Sequence, residues 1–182
     1  MNFKQIETSR LILKGLSPED MKTVFENYPK EKIKQILGHR SEEDYLKEEN
    51  KYRNGYASYN RSFILFLLTD KASGTIIGRC GLHNWNTDHS RAEIGYSMED
   101  ESYKRLGLMS EAVEAIINYG FTQLNLNRIE ALVAPNNIPS LRLIEKNNFT
   151  REGLLRKHYN VSGVFEDSVM FSKLYEEHVN EK

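Results

Sequence analysis

The chain has 182 residues, of which 39% are hydrophobic and 28% charged, with a formal net charge of −1. That length fits one domain spanning residues 1–182, and the apolar share suits a packed core rather than a disordered chain. Near-neutral charge argues against a general nucleic-acid binder, the one cysteine excludes an internal disulfide, and no apolar run approaches the ~20 residues needed to cross a bilayer.

The first residues lack the apolar core of a signal peptide, and a lone cysteine fits a reducing compartment, so a cytoplasmic location is expected. Leu11-Ile12-Leu13-Lys14-Gly15-Leu16 reads as the first strand. Ser17-Pro18-Glu19-Asp20 then opens a helix with a capping serine, a proline at the first position and acids in the first turn. Met21, Val24, Phe25 and Tyr28 supply its apolar spacing, and Pro29 ends it. From Lys30 to Asn60 the chain is polar and charged. Ser41-Glu42-Glu43-Asp44 is a capping box with Asp44 in place of the usual glutamate. Tyr45, Leu46, Tyr52 and Tyr56 are expected along one side of the helix it opens. That helix is thinly apolar, so it is expected on the surface as a wall of the substrate site.

Phe63–Leu68 is an unbroken apolar run, too short for a typical helix and suited to a strand covered on both faces. A turn at Asp70–Gly74 returns the chain as an antiparallel strand from Thr75 to His83. Cys80 lies in that strand and reads as structural. Arg91–Met98 is the next strand, with Ala92, Ile94, Tyr96 and Met98 on one face and Arg91, Glu93, Gly95 and Ser97 on the other. The helix from Gly107 to Leu124 is apolar on most of its circumference and must pack on a sheet. A strand over 127–134, a helix over 139–147 and strands over 149–157 and 165–174 complete the chain. The helical crossover between the 91–98 and 127–134 strands makes that pair parallel. The fold class is therefore α/β with an α+β flavour: a mixed, mostly antiparallel sheet of about seven strands flanked by helices.

The segment with the most chemistry is Tyr103-Lys104-Arg105-Leu106-Gly107-Leu108-Met109-Ser110-Glu111-Ala112. It opens a helix directly after a strand. Helix N-termini present unpaired N–H groups and partial positive charge, and Gly107 allows close backbone approach, so the segment suits a phosphate-bearing cofactor. A dinucleotide Gly-x-Gly-x-x-Gly and a P-loop Gly-Lys-Ser/Thr are both absent. The five histidines lack metal-ligand spacing, and no metal is expected.

From Ile6 to Leu174 the chain resembles the GNAT superfamily of N-acetyltransferases, and within it the RimJ/RimL-type branch of ribosomal-protein N-terminal acetyltransferases. The likeness rests on eight segments in the family's order: 7–13, Ile77–His83, Arg91–Tyr96, Gly107–Ala112, Asn127–Ala131, Asn137–Ser140, Glu145–Phe149 and Asp167–Val169. It implies acetyl-CoA as cofactor. The family's pyrophosphate loop, Gln/Arg-x-x-Gly-x-Gly/Ala, falls on Lys104, Gly107 and Met109, with Met109 bulkier than the usual residue. Main-chain amides from Arg105 through Leu106, Leu108 and Met109 to Ser110 would bind the diphosphate.

The same resemblance implies that Asn137 and Ser140 contact the pantetheine arm, although Asn137 is also a good helix N-cap. It implies that Ser140 donates to the departing sulfur, that Glu93 draws the proton from the amine, and that a strand amide near Ser97–Met98 stabilises the oxyanion. For Glu93 the plain alternative is a surface carboxylate paired with Arg91. Arg142 and Lys146, four apart on one helix face, either meet the cofactor's terminal phosphate or stay solvated. His83 ends a strand near the expected cleft. The expected partner is an amine acceptor, most simply a protein or peptide N-terminus, with no nucleic acid and no membrane. A small-molecule acceptor (polyamine or antibiotic) and a non-catalytic acyl-CoA sensor remain alternatives. A homodimer is left open, because relatives often dimerise.

Overall fold

The structure is a computed structural model, and it describes residues 3–56 and 61–181; the end of the expected polar region, 57–60, lies outside them. Eight strands form one sheet in the order β1-β2-β3-β4-β5-β6-β8-β7. They are β1 (Lys4–Glu7), β2 (Leu11–Leu16), β3 (Arg61–Asp70), β4 (Ile76–Asn86), β5 (Arg91–Met98), β6 (Arg128–Val133), β7 (Thr150–Val161) and β8 (Val164–Leu174). Among the described residues only β5 and β6 run parallel, joined by the helical crossover that the sequence requires. The strand count exceeds the expected seven by β1. Lys4-Gln5-Ile6-Glu7 is polar and half-exposed, and it becomes a strand only by pairing with β2 at the sheet edge.

The helices are α1 (Pro18–Asn27), α2 (Lys30–Leu37), α3 (Glu42–Asn54), α4 (Leu108–Gln123), α5 (Ile138–Lys146) and α6 (Tyr175–Asn180). Both capping boxes form: Ser17 with Asp20 and Ser41 with Asp44. Pro29, expected as a stop, also starts α2, which closes on Gly38 in the left-handed conformation (φ +69°). α2 and α6 were not separately legible in the sequence.

The sheet is covered on both faces, and β3 shows it within three residues. Phe66 and Leu68 join a core with Leu82, Ile94, Val113 and Ile116 beneath α4. Leu67, between them, joins a second core with Met21, Val24, Ile33, Leu37 and Tyr45 beneath α1–α3. Burying each such side chain contributes about 1.5–3 kcal/mol. Cys80 is fully buried in the first core, and burial pushes its thiol well above the usual range, as befits a structural residue. One expectation for α3 fails. Tyr45 is buried and Tyr52 stacks on Phe25 (4.7 Å between rings), but Leu46 is 51% exposed. Adjacent helical residues lie about 100° apart, so Tyr45 and Leu46 cannot share one narrow face. Among the described residues, no helix is long and apolar enough to cross a membrane.

Candidate active site

β5 and β6 pair only at Arg91–Arg128, Ala92–Ile129 and Glu93–Glu130. Beyond that point β5 runs on to Met98 and β6 to Val133, unpaired with each other. Their divergence opens a cavity of about 190 Å³ bordered by His83, Glu93, Tyr96, Ala131, Asn137 and Ser140. Each strand is followed along the chain by a helix, β5 by α4 after a short 3-10 turn at Glu101–Tyr103 and β6 by α5, and the gap lies at the carboxyl ends of these two parallel strands. Ligands of open α/β sheets bind at such switch points.

The ladder register decides which amides face the gap. Glu99 N donates to Ile77 O at 2.9 Å. Hydrogen-bonded pairs alternate along an antiparallel ladder, so the Arg79–Ser97 register turns the Ser97 amide toward β4. The amides of Tyr96 and Met98 therefore point the other way, toward β6. Of the two candidates Ser97 and Met98, Met98 is the one whose N–H faces the gap. The Ser97 side chain is exposed, and its Oγ donates to Glu99 Oε1 (3.2 Å).

Glu93 stands where the strands begin to part. It is only 8% exposed, yet three side chains serve its carboxylate. His83 Nε2 lies 3.2 Å from Oε1, Asn84 Nδ2 donates to Oε2 at 3.0 Å, and the Tyr159 hydroxyl reaches Oε1 at 3.5 Å. Burial pushes the carboxyl up, but these partners outweigh it and hold it below the usual carboxylate range. Glu93 is therefore ionised at neutral pH. Arg91, its plain alternative partner, pairs instead with Glu130 at 2.9 Å.

The α4 entry is the segment on which the expected diphosphate contacts fall. Arg105 (φ +62°) and Gly107 (φ +78°) both have positive φ, and Gly107 is the left-handed N-cap of α4, so the turn ends at a helix start whose first N–H groups lack intrahelical acceptors. A Cβ on Gly107 would meet only Arg10 Nη2, at 3.5 Å, so its requirement is conformational rather than steric. The 104–107 turn is exposed, and Lys104 pairs with Glu101 at its edge. Leu106 is 55% exposed. Leu108 and Met109 turn their side chains into the core, so the bulk of Met109 is not spent on the turn. The Lys146 ammonium, from the last turn of α5, donates to Ser110 Oγ in the first turn of α4 (3.0 Å). Asn137 caps α5, and its Oδ1 accepts from Ser140 N at 3.3 Å. The Ser140 carbonyl accepts from the Tyr96 hydroxyl at 3.5 Å.

Two supports were invisible in the sequence. Arg10 and Thr8, in the β1–β2 turn, clasp Glu111 in the first turn of α4. His83, Asn84 and Tyr159 surround Glu93, and nothing in local spacing links residue 159 to residue 93. A second cavity, of about 740 Å³, runs from the end of α3 over β3–β5, and Glu48, Tyr56, Arg61 and Arg79 are among the residues lining it. It meets the smaller one at His83, Gly95 and Tyr96, which border both. Among the described residues, no group of three or more His, Cys, Asp or Glu side chains could hold a metal ion.

The sequence matches the family model for the acetyltransferase (GNAT) domain over residues 10–150. The uncharacterized N-acetyltransferase YoaA of Bacillus subtilis (strain 168) is 30% identical over 171 residues, covering 93% of this chain and 96% of YoaA. The uncharacterized N-acetyltransferase p20 of Bacillus licheniformis is 43% identical over 113 residues, 62% of this chain and 63% of p20, so that match spans less than two thirds of either. Among solved structures, ribosomal-protein-S5-alanine acetyltransferase from Vibrio fischeri aligns with a TM-score of 0.67 over 96% of this chain and 98% of its own. A spermidine N-acetyltransferase SpeG mutant from Vibrio cholerae aligns with a TM-score of 0.71 over 96% and 99%. Both are 22% identical to this chain, and that likeness shows the fold alone. The chain belongs to the GNAT acetyltransferase family and is an N-acetyltransferase. Enzymes of this family use acetyl-CoA and act on amine acceptors.

Proposed function

We propose that this enzyme moves an acetyl group from acetyl-CoA directly onto the α-amine of a protein or peptide N-terminus. The observation that carries the reading is the place of Glu93: an ionised, nearly buried carboxylate where the narrow gap between β5 and β6 meets a wide, open cavity. The residues fit the cofactor. Amides of Arg105–Ser110 would hold its diphosphate at the start of α4, with Lys146 beside them. Asn137 and Ser140 would line its arm in the gap, whose width comes from the lost pairing of β5 and β6. Acetyl-CoA supplies a thioester, an acyl group already activated for attack by an amine. The chain's own part is to position it, to aim the Met98 N–H at developing negative charge, and to draw a proton from the amine toward Glu93. The Ser140 hydroxyl is the donor on the leaving-group side.

Amine basicity favours an α-amine. With a pKa of about 7.7–8.0 it costs roughly 1–1.4 kcal/mol to deprotonate at pH 7, against about 4.6 for a lysine-like amine near 10.4. The wide cavity points the same way. Lys51, Arg61 and Arg79 line it with Glu48, and Lys51 and Arg79 both pair with that carboxylate, so its lining offers a polycation no cluster of unpaired carboxylates. In the test, labelled acetyl-CoA is offered with peptides bearing N-terminal alanine or serine, with spermidine and with an aminoglycoside. Label is expected on the peptide α-amine. Label on spermidine or the aminoglycoside with none on the peptides would replace the acceptor, and no transfer to any would remove the reading.

A further inference from the structure

We infer that His83 is the group that takes the proton from the acceptor amine, and that Glu93 is its positioning residue. The inference rests on the acetyl-transfer reading and deepens it.

Glu93 borders only the smaller cavity and is almost wholly buried, so an amine arriving through the wide cavity meets His83 first. The imidazole borders both cavities, and its side chain is 45% exposed. Its Nε2 lies 3.2 Å from Glu93 Oε1. A carboxylate only accepts, so Nε2 carries the hydrogen and Nδ1 keeps its lone pair. Nδ1 lies over Gly95: a Cβ there would stand 3.2 Å from Nδ1 and 3.0 Å from Cε1. Gly95 also borders both cavities. The missing side chain thus leaves the passage open and seats the ring. The pairing of β4 with β5 sets this arrangement, since His83 is the register partner of Glu93 and Gly95 is two residues further along β5.

The step balances simply. An N–H bond of the acceptor ammonium breaks, its electron pair stays on nitrogen, and the proton bonds to Nδ1. The resulting imidazolium is held by the Glu93 carboxylate, itself held by Asn84 and Tyr159. The proton then passes to water in the wide cavity. The other charged or titratable groups bordering that cavity are Glu48, Lys51, Tyr56, Arg61, Arg79 and Tyr96. Of these, Arg79 is committed to Glu48 and Glu99, at 3.7 and 3.6 Å. Lys51 also pairs with Glu48 (3.1 Å).

Two measurements test the inference. The first needs no acceptor. Nitrogen-15 NMR of the histidines should show His83 protonated at Nε2 when neutral, and Glu93→Ala should abolish that tautomer preference. A His83 ring protonated at Nδ1, or an Nε2 preference that survives Glu93→Ala, overturns the inference. The second uses a peptide with N-terminal alanine. His83→Ala should lower kcat about 100-fold, the usual reach of a general base, with the calorimetric affinity for acetyl-CoA kept and activity partly restored by added imidazole. His83→Ala with wild-type turnover and an unchanged pH profile overturns the role of His83. Failure of the wild-type enzyme to acetylate the peptide would instead strike the acceptor assignment, leaving the NMR result to decide on the dyad.

Discussion

Arg10 and Glu111 lie 101 positions apart in sequence, yet Arg10 Nε donates to Glu111 Oε2 at 2.7 Å, and the Arg10 amide donates to Oε1 at the same distance. Thr8 Oγ1 adds a third bond to Oε1 at 2.6 Å, and Arg10 Nη1 donates to Leu106 O at 2.8 Å. The β1–β2 turn thereby grips both the first turn of α4 and the exposed turn before it. A carboxylate in a first helical turn also complements the helix dipole. Burial pushes the Glu111 carboxyl up, but these donors prevail and hold it below its usual range.

Glu111→Ala is expected to loosen that grip. Losing hydrogen bonds to a charged group costs about 2 kcal/mol, which corresponds to about 4–8 °C in a chain of this size. Because the turn proposed to hold the diphosphate loses its brace, the KM for acetyl-CoA should rise more than kcat falls. Thermal melting and steady-state kinetics on the same variant check both.

Gly107 separates backbone conformation from charge. Its φ of +78° costs a residue with a Cβ about 1–2 kcal/mol. Gly107→Ala should therefore melt a few degrees lower while still binding acetyl-CoA. Gly107→Asp adds a negative charge where the diphosphate would lie, and calorimetry should find no binding to a folded protein. Wild-type affinity in Gly107→Asp would remove the turn from the cofactor site.

Lys146 reaches across from α5 to Ser110 on α4. If it also meets a phosphate of the cofactor, Lys146→Ala should weaken binding several-fold, by an amount that shrinks as salt is raised. Comparing CoA with its 3′-dephospho form tells which phosphate. An equal loss for both places Lys146 at the diphosphate, and a loss confined to CoA places it at the 3′-phosphate.

His39 gives the protein an acid-sensitive element. Both ring nitrogens are buried without a hydrogen-bond partner among the described residues. Burial first, and the charge of Arg79 second, lower its proton affinity below the ordinary value of 6.5. The unfolded chain thus takes up a proton near pH 6.5 while the folded one resists. The contribution of neutral His39 to stability is complete above that pH and declines as pH falls below it. A melting series from about pH 8 down to about pH 5 should show the decline, and His39→Phe should flatten it.

The hydrophobic spacing of α4, the apolar run of β3 and the Ser17 and Ser41 boxes depend on neighbours within a few residues. Local physics therefore made them readable, along with the crossover that forces β5 and β6 parallel. The turn 104–110 was readable for the same reason: a charged pair, a glycine and a helix start are adjacent in the chain. β1 was not, because a polar tetrapeptide becomes a strand only when β2 offers it an edge. Nor was the outward turn of Leu46, which depends on where the second core lies.

The chain's residue order carried the elements, the glycine turn that opens α4 and the presence of a carboxylate at position 93. What it could not carry was the company that carboxylate keeps. His83 meets Glu93 through strand register, Tyr159 arrives from the far end of the sheet, and the gap itself exists because two strands stop pairing after three residues. Those are agreements between distant segments, set by packing on both faces of the sheet. No window of neighbouring residues holds them.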